Sequence, residues 1–296
     1  MRYLTSLVIM VMFSGCSVAQ MYAPEKYVKY ENLPSDQKLF LDTLQRQTFE
    51  FFLHEIEPSK GLVKDRSADW SPASMASTGF GVPVWAIGAE KGWITKDRAE
   101  ELTLNLIRFL LSSEQSAAAD ATGYKGFYYH FVDLKHGKRE WKCELSTIDS
   151  GLLFAGLIFA RNYYSGDSKA HKEIREGVTK ILERADWDFF TITNEKSDFF
   201  NGLSMGWHPE RQENNGLIDH CWWGYNEALV LFIMAAGSGS KDYQKQYDRW
   251  LRDYEWGAAY PGLDHYLFAP LFGHQYSHLF VDFRGIYDIK NREKGI

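Results

Sequence analysis

Hydrophobic and polar positions along the chain fall into blocks that predict pairs of helices. Residues 78–88 are apolar on every side and rich in small side chains, so a helix there is expected to be buried all round. Residues 95–110 follow, with Thr95 as a predicted N-cap, apolar residues on one face and charged residues on the other. This pattern predicts a buried helix followed by an amphipathic helix that covers it.

The same pair of helices is predicted twice more. Residues 147–164 and 225–237 are the buried members, and residues 168–187 and 241–254 are the charged, amphipathic ones. The buried segments begin about 70–80 residues apart, whereas the units of an open solenoid, the alternative, are shorter and more uniform, about 33–47 residues. We therefore predict an all-α fold, an α/α toroid of inner and outer helix hairpins.

Two further elements are predicted outside these pairs. Residues 35–56 carry a helical apolar stripe after Ser35, a predicted N-cap, and indicate a peripheral amphipathic helix. Residues 126–133 and 139–144 flank a turn and predict a β-hairpin. We expect such small β-hairpin insertions to lie on one rim of the ring.

The first 32 residues are typical of an exported protein. Arg2 precedes an apolar run over residues 4–13 that is too short to span a bilayer, and a small-residue cleavage site follows. Cys16 directly after Ser-Gly resembles the lipobox of bacterial lipoproteins, although an ordinary signal peptide with an incidental cysteine is the alternative. We predict a lipoprotein signal peptide at 1–15, a tether at 16–32 and one domain at 33–296.

Cys16 is then the predicted lipidation site, with the lipid anchor in the membrane. Ser17, rather than Asp, follows the cysteine, which by resemblance to known lipoproteins favours the outer membrane. The predicted location is the periplasm or cell surface. The remaining Cys143 and Cys221 predict either one disulfide bond or two small buried side chains.

Charge and composition limit the choice of partner. The net charge is −6 and no block of basic residues is present, which argues against binding to nucleic acid. Aromatic residues make up 16% of the chain, which indicates either an aromatic core or surfaces that stack on flat ligands such as sugars. No Cys/His spacing typical of a metal site is present, so we predict no metal or other cofactor.

Candidate chemistry is concentrated where each buried helix begins. Since the starts of parallel inner helices lie on one rim, we expect Glu144, Asp149 and Glu227 to converge on one cavity mouth. Burial beside an apolar run raises the pKa of a carboxyl group and suits it to donate a proton. We predict Glu227 as the general acid and Asp149 as the second choice. The alternative role for Asp149 is to stabilise the N-terminus of its helix by binding free backbone amides.

Acids beside aromatic rings are typical of a glycosidase cleft, in which carboxylates move protons and rings carry the sugars. His274 and His278 lack the acidic partner of a zinc hydrolase motif, so we expect them to bind polyols rather than metal. Asp282 and Arg284 form a structural pair in the alternative reading. The predicted substrate-binding residues are Glu144, Asp65, Arg66, Trp207, His208, Trp222, Trp223, Tyr225, His274, Gln275, His278 and Asp282. Trp222 and Trp223 are consecutive and are not both expected to point inward.

Six motifs together resemble those of the bacterial glucoamylase-like glycoside hydrolases, which include endo-β-1,2-glucanases. The resemblance implies a six-hairpin α/α toroid, inverting hydrolysis of β-glucan or a related oligosaccharide, and no metal. The motifs are GLVKDRS (61–67), STGFG (77–81), KGWIT (91–95), STIDSGLLFAG (146–156), WGYNEAL (223–229) and FGHQYSHLFVDFRG (272–285).

The sequence departs from the family in two respects. Members continue well beyond the 272–285 motif, so we expect this chain to be a C-terminally truncated, incomplete ring and a monomer. Such a ring would expose apolar helix sides, lack the general base, and be marginally stable and inactive. Ser146, Asp149 and Ser150 replace residues usual in endo-β-1,2-glucanases, so the linkage is left open. The alternative function is an inactive surface glycan-binding lipoprotein that keeps Trp222, Trp223 and His208.

Overall fold

The computed structural model describes residues 28–258 and 261–295. The predicted signal peptide, Cys16 and most of the predicted tether lie outside the described residues. Within those two ranges, no helix combines the length and the apolar character needed to cross a bilayer.

Helices dominate the described residues, and the strands are short and paired in twos. The helices are α1 (Ser35–His54), α2 (Met75–Glu90), α3 (Lys96–Ser112), α4 (Thr147–Tyr163), α5 (Lys169–Glu183), α6 (Leu229–Ser238), α7 (Tyr243–Arg252), α8 (Tyr276–Phe280) and α9 (Ile289–Lys294). The strands are β1 (Ile56–Glu57), β2 (Leu62–Val63), β3 (Ala73–Ser74), β4 (Gly123–Tyr124), β5 (Phe127–Tyr128), β6 (Phe131–Val132), β7 (Leu145–Ser146), β8 (Gly206–Trp207), β9 (Trp256–Ala258) and β10 (Asp264–Tyr266).

Three of the helices form an inner layer, in which α2 and α4 are mostly buried and α6 leaves one side exposed, with Ile233 39% exposed. Helix α2 packs against α4, and α4 packs against α6. The first contact is made by backbone, because a Cβ at Gly79 would lie 2.5 Å from the carbonyl oxygen of Leu152, and a Cβ at Gly156 would strike the carbonyl of Gly79. Gly151 leaves room in the same way for Leu231 of α6. Small residues therefore set the spacing of the inner helices.

The amphipathic helices α3 and α5 cover this layer from outside. Thr95 and Ser168 cap them by accepting hydrogen bonds from the backbone amides of Arg98 and His171, as expected for N-caps. Between the two helices, Arg108 makes a two-pronged ion pair with Glu173 at 2.6 and 2.9 Å. The predicted division into buried and covering helices is confirmed for these elements.

The third buried helix begins later than predicted. Residues 225–228 are not helical, and α6 starts at Leu229. The side chain of Asn226 accepts a hydrogen bond from the amide of Ala228 and donates one to the carbonyl of Trp223, which holds this segment in a turn. Glu227 therefore lies in the turn before the helix and not inside its first turn.

Short strand pairs precede the inner helices and define their N-terminal rim. Strand β3, directly before α2, pairs with β6, and β7, directly before α4, pairs with β8. Of the predicted 126–144 hairpin, the described structure keeps a single bridge between Val132 and Arg139. Phe131 and Val132 instead pair mainly with β3. The prediction of a helix-rich fold with small β-hairpins is confirmed.

Candidate active site

His130, Glu144 and Asp149 meet at the N-terminal end of α4. His130 Nδ1 lies 2.9 Å from a carboxylate oxygen of Glu144, and Nε2 lies 3.5 Å from Oδ1 of Asp149. Strand β7 places Glu144, the first turn of α4 places Asp149, and the chain between β5 and β6 places His130. One imidazole thus bridges two carboxylates that the sequence predicted to converge.

The pKa values of these three groups are shifted in different directions. Burial raises the pKa of Asp149, against the opposing effects of His130 and of the Ser146 hydroxyl that donates to it at 2.5 Å. Burial also acts to raise the pKa of Glu144, but the hydrogen bond and charge of His130 outweigh it and lower that pKa. The pKa of His130 is raised, because its two carboxylate neighbours outweigh the desolvation of the ring. The two carboxyl groups beside His130 thus have pKa values shifted in opposite directions.

The ligand atoms of these three residues all lie within 4.8 Å of one another, which is compatible with a bound cation. The hydrogen bond between His130 and Glu144 explains the spacing equally without one. The predicted absence of a metal remains a prediction.

Glu227 lines a second, adjacent cleft of about 450 Å³ together with Trp222, Trp223 and Tyr225. Its side chain is largely buried, and its Oε2 atom has no hydrogen-bond partner. Burial raises the pKa of Glu227, with only a weak opposing contribution from the backbone. The shift is in the direction that a proton donor requires.

The two acidic sites are joined through Trp222. Its ring lines the Glu227 cleft, and its indole N–H donates a 2.9 Å hydrogen bond to the hydroxyl of Thr147, the first residue of α4. Met205 also lines the cleft and accepts a hydrogen bond from the Thr147 amide. Asp149 lies two residues further along α4, so both carboxyl groups flank one region of the rim.

His208 lies beside a nearly buried arginine on the same rim. The Arg139 guanidinium pairs with Glu210 and approaches Nδ1 of His208 at 3.3 Å. Burial first, and then the charges of Arg211 and Arg139, lower the pKa of His208, so that its neutral form is favoured. A neutral imidazole is suited to hydrogen bonding with sugar hydroxyls.

The predicted tryptophans occupy three different environments. Trp207 is buried against Tyr124 and Phe189, so its ring belongs to the core and not to a sugar-binding surface. Trp222 is also buried, with one edge on the cleft, whereas Trp223 is 43% exposed. The two consecutive rings therefore point differently, as the sequence predicted.

The remaining predicted residues divide between cleft and surface. His274 packs near Tyr225, with ring centroids 5.2 Å apart, and Nε2 lies 2.9 Å from the carbonyl oxygen of Phe268. Gln275 and His278 are exposed. Asp282 forms an exposed pair with Arg284, which lowers its pKa to about 2 and fits the structural reading of these two residues.

Asp65 and Arg66 lie on the other side of His130. Arg66 Nε donates a 2.7 Å hydrogen bond to Asp65, and the Asp65 charge is close enough to contribute to the raised pKa of His130. They are thus associated with the His130 cluster and not with the Glu227 cleft.

Sequence reasoning missed three residues near the site. His130 was treated only as part of a strand, although it is the bridge between the two carboxylates. Trp70 and Trp141 are 65% and 50% exposed and lie next to each other, with ring centroids 5.9 Å apart. Trp70 stands in the acidic and aromatic stretch before α2, so the sequence carried a signal for it.

Both cysteines of the folded part are free thiols. Burial raises the pKa of Cys143 and of Cys221 to about 11, so neither is poised to act as a nucleophile. The sequence left open either a disulfide bond or two small buried side chains. The structure has the second arrangement, with Cys221 buried and Cys143 partly buried.

Comparison with known proteins gives three kinds of match. The family model described as "Putative glucoamylase" matches residues 219–293. A curated relative, an exo-β-1,2-glucooligosaccharide sophorohydrolase of Parabacteroides distasonis, is 22% identical over 210 residues, which cover 68% of this chain and 27% of the relative.

Solved structures match over most of the chain. A "putative glucoamylase" of Bacteroides uniformis superposes with a TM-score of 0.72 and 26% identity, covering 90% of this chain and 63% of that one. An endo-β-1,2-glucanase of Chitinophaga pinensis, in complex with sophorotriose and glucose, superposes with a TM-score of 0.69 and 21% identity, covering 87% and 63%.

The chain therefore spans less than two thirds of the length of these relatives. The B. uniformis structure nevertheless covers 90% of this chain. They confirm the resemblance found in the sequence: the chain is related to the bacterial glucoamylase-like glycoside hydrolases.

Proposed function

We propose that this chain is part of an inverting glycoside hydrolase that acts on β-glucan or a related oligosaccharide, with Glu227 as its general acid. One observation carries the proposal: a buried carboxyl group without a hydrogen-bond partner lines an aromatic cleft on the rim. A general acid has to remain protonated until it reaches the glycosidic oxygen, and burial raises the pKa of Glu227 in the required direction. The names of the relatives support β-linked glucose as the substrate.

Asp149 is the alternative general acid in this proposal. Burial raises its pKa as well, but both of its oxygens already have neighbours, Ser146 on one side and His130 on the other. Glu227 lines the aromatic cleft and its buried Oε2 has no hydrogen-bond partner, and for this reason it is our first choice. In this proposal the His130–Glu144–Asp149 cluster provides charged, hydrogen-bonding groups beside the Glu227 cleft.

In the same proposal, the helices form an arc of an α/α toroid. Helices α2, α4 and α6 lie side by side as the inner layer, and α3 and α5 lie outside them. The similarity to the B. uniformis structure supports this reading.

The function is tested by incubating a full-length protein that contains this chain with β-1,2-, β-1,3- and β-1,4-glucans and measuring released reducing sugar. We expect release from at least one glucan, and NMR is expected to show a product anomer opposite to that of the substrate linkage. Glu227→Gln is expected to lower the rate by about 100-fold or more, because a general acid contributes at least that much. Glu195→Gln, an exposed glutamate outside the site, is the matched control and should retain the rate.

Near-normal turnover by Glu227→Gln would exclude Glu227 as the acid. If Asp149→Asn alone abolished turnover, the role would pass to Asp149. A retained anomeric configuration would reject inversion.

A non-catalytic glycan-binding role is the second candidate, and the exposed Trp70–Trp141 pair favours it, because exposed aromatic faces bind sugars without any chemistry. Affinity electrophoresis separates the two functions. A protein that is retarded in a glucan-containing gel but releases no sugar would be a binder.

We also propose that the chain is an outer-membrane lipoprotein anchored through Cys16 and located in the periplasm or at the cell surface. The lipobox-like sequence around Cys16 supports this location.

A further inference from the structure

Three aromatic side chains form a continuous surface that leads away from the acidic cluster. We call Trp70, Trp141 and Phe131 the aromatic platform. The Trp70 and Trp141 ring centroids are 5.9 Å apart, and those of Trp141 and Phe131 are 5.1 Å apart. Phe131 in turn stacks on His130 at 3.8 Å, with the rings inclined by 17°. The platform is thus continuous with the residue that bridges Glu144 and Asp149.

The loop that carries Trp141 is held firmly from below. Trp141 and Lys142 both have positive φ angles, 55° and 50°, which non-glycine residues seldom adopt. The Arg139 guanidinium fixes this conformation by donating to the carbonyls of Lys142 and Cys143 at 2.9 and 2.6 Å. The indole is therefore presented to solvent by a preorganised loop and not by a free chain.

Polar groups flank the exposed rings. The Arg66 guanidinium lies over Trp70, 5.6 Å from the ring centroid, and is itself exposed. Asp65 accepts a hydrogen bond from this guanidinium, and the exposed Lys142 directly follows Trp141 in the chain. Flat apolar faces with hydrogen-bonding groups at their edges match a pyranose ring, which has apolar faces and a rim of hydroxyls.

We propose that the aromatic platform is a remote subsite, which stacks the glucose rings of a β-glucan chain that extends out of the His130–Glu144–Asp149 cluster. The inference rests on the proposed function and deepens it, because it assigns part of the selectivity for chain length to residues outside the Glu227 cleft. The subsite binds substrate and takes no part in bond cleavage. A short ligand that fills only the acidic cleft does not reach it.

The test compares the full chain with its Trp70→Ala and Trp141→Ala variants in binding to sophorose and to β-1,2-glucan polymer, by calorimetry. Each variant is expected to bind the polymer roughly fivefold more weakly, which is typical of losing one aromatic stacking contact, and to bind sophorose unchanged. Trp141→Phe should restore most of the affinity, since it restores an aromatic face. Phe40→Ala removes another exposed aromatic side chain, 66% exposed on α1, and should leave both affinities unchanged.

The outcomes separate this inference from the proposed function, because binding is measured independently of hydrolysis. Unchanged polymer affinity in both alanine variants, or an equal loss for sophorose and polymer, would overturn the remote subsite alone. Polymer-specific weakening in a chain that releases no sugar would support the subsite and reject catalysis. A wild-type chain that binds neither ligand would overturn the remote subsite for β-1,2-glucan, whereas the proposed function is rejected only if none of the three glucans releases sugar. Thermal melting of each variant checks that the weakening is not caused by unfolding.

Discussion

At the scale of single residues, Glu227 combines a functional advantage with a cost in stability. Its raised pKa means that the folded protein binds a proton there more tightly than the unfolded chain does. Stability is therefore fully present below the unfolded pKa of a glutamate and declines as pH rises through the folded value. A buried ionised carboxylate without a partner destabilises the native state at neutral pH.

We expect Glu227→Gln to remove this decline, since glutamine does not ionise. The melting temperature of the variant should equal that of the wild type below about pH 4, and exceed it by on the order of 2–4 °C at neutral pH. Thermal melts across this range test the expectation. A variant less stable than the wild type at neutral pH would show that Glu227 is not an unpaired charge.

A second pH experiment concerns His130, whose charged form stabilises the fold, whereas the charged form of Glu227 destabilises it. Its pKa is raised by Glu144 and Asp149, so its protonated form stabilises the fold below the unfolded histidine pKa, about 6.5, and this stabilisation is lost as pH rises through the folded value. His130→Gln should therefore destabilise the protein more at about pH 6 than at about pH 9. Equal destabilisation at both pH values, measured by thermal melting, would contradict the charge coupling.

Residue types and their neighbours in sequence were enough to identify Glu144, Asp149 and Glu227 as candidates. They were not enough to place His130, because its contacts are made across 14 and 19 positions of chain through a strand pairing that leaves little sequence signal. The core position of Trp207 was missed for the same reason. Only its packing on Tyr124 and Phe189 decides which way that ring faces.

At the scale of elements, periodicity predicted the helices well where a cap residue marked the start. Thr95 caps α3 as predicted, and Ser168 caps α5. Ser35, also predicted as an N-cap, is instead the first helical residue of α1, whose N-cap is Pro34. The start of α6 was predicted too early, because the apolar pattern continues backwards through residues that the Asn226 side chain holds in a turn. The predicted 126–144 hairpin is only partly formed, because β3, which is distant in sequence, pairs with its first strand.

The close contact of α2 and α4 leads to a prediction about the elements. Gly79→Ala should destabilise the protein by about 3 kcal/mol, because the added Cβ would lie 2.5 Å from the Leu152 carbonyl and force the helices apart. Gly237→Ala in α6 is the matched control, since nothing lies within 4 Å of its Cβ position. Alanine there should be neutral or stabilising by about 0.5–1 kcal/mol. Denaturant unfolding measures both, and equal effects would show that the contact is not tight.

At the scale of the whole molecule, the proposed attachment to a membrane depends on residues outside the described ranges. We expect the chain, expressed in a bacterium, to be labelled by radioactive palmitate and to sediment with membranes. Cys16→Ser should abolish both, because it removes the thiol that carries the lipid. Cys143→Ser is the matched control, and persistence of labelling in Cys16→Ser would reject the anchor.

The glycine contact between α2 and α4 also determines which positions of this protein can be mutated without disturbing the fold. Because backbone meets backbone at Gly79 and Gly156, no side chain separates the two helices at this point of closest approach. Mutational libraries aimed at changing the proposed substrate selectivity should therefore leave this contact between the helices unchanged. The useful positions are the exposed side chains of the loops 64–71 and 139–143, such as Trp70 and Lys142. Changes there leave the helices that position Asp149 unaltered.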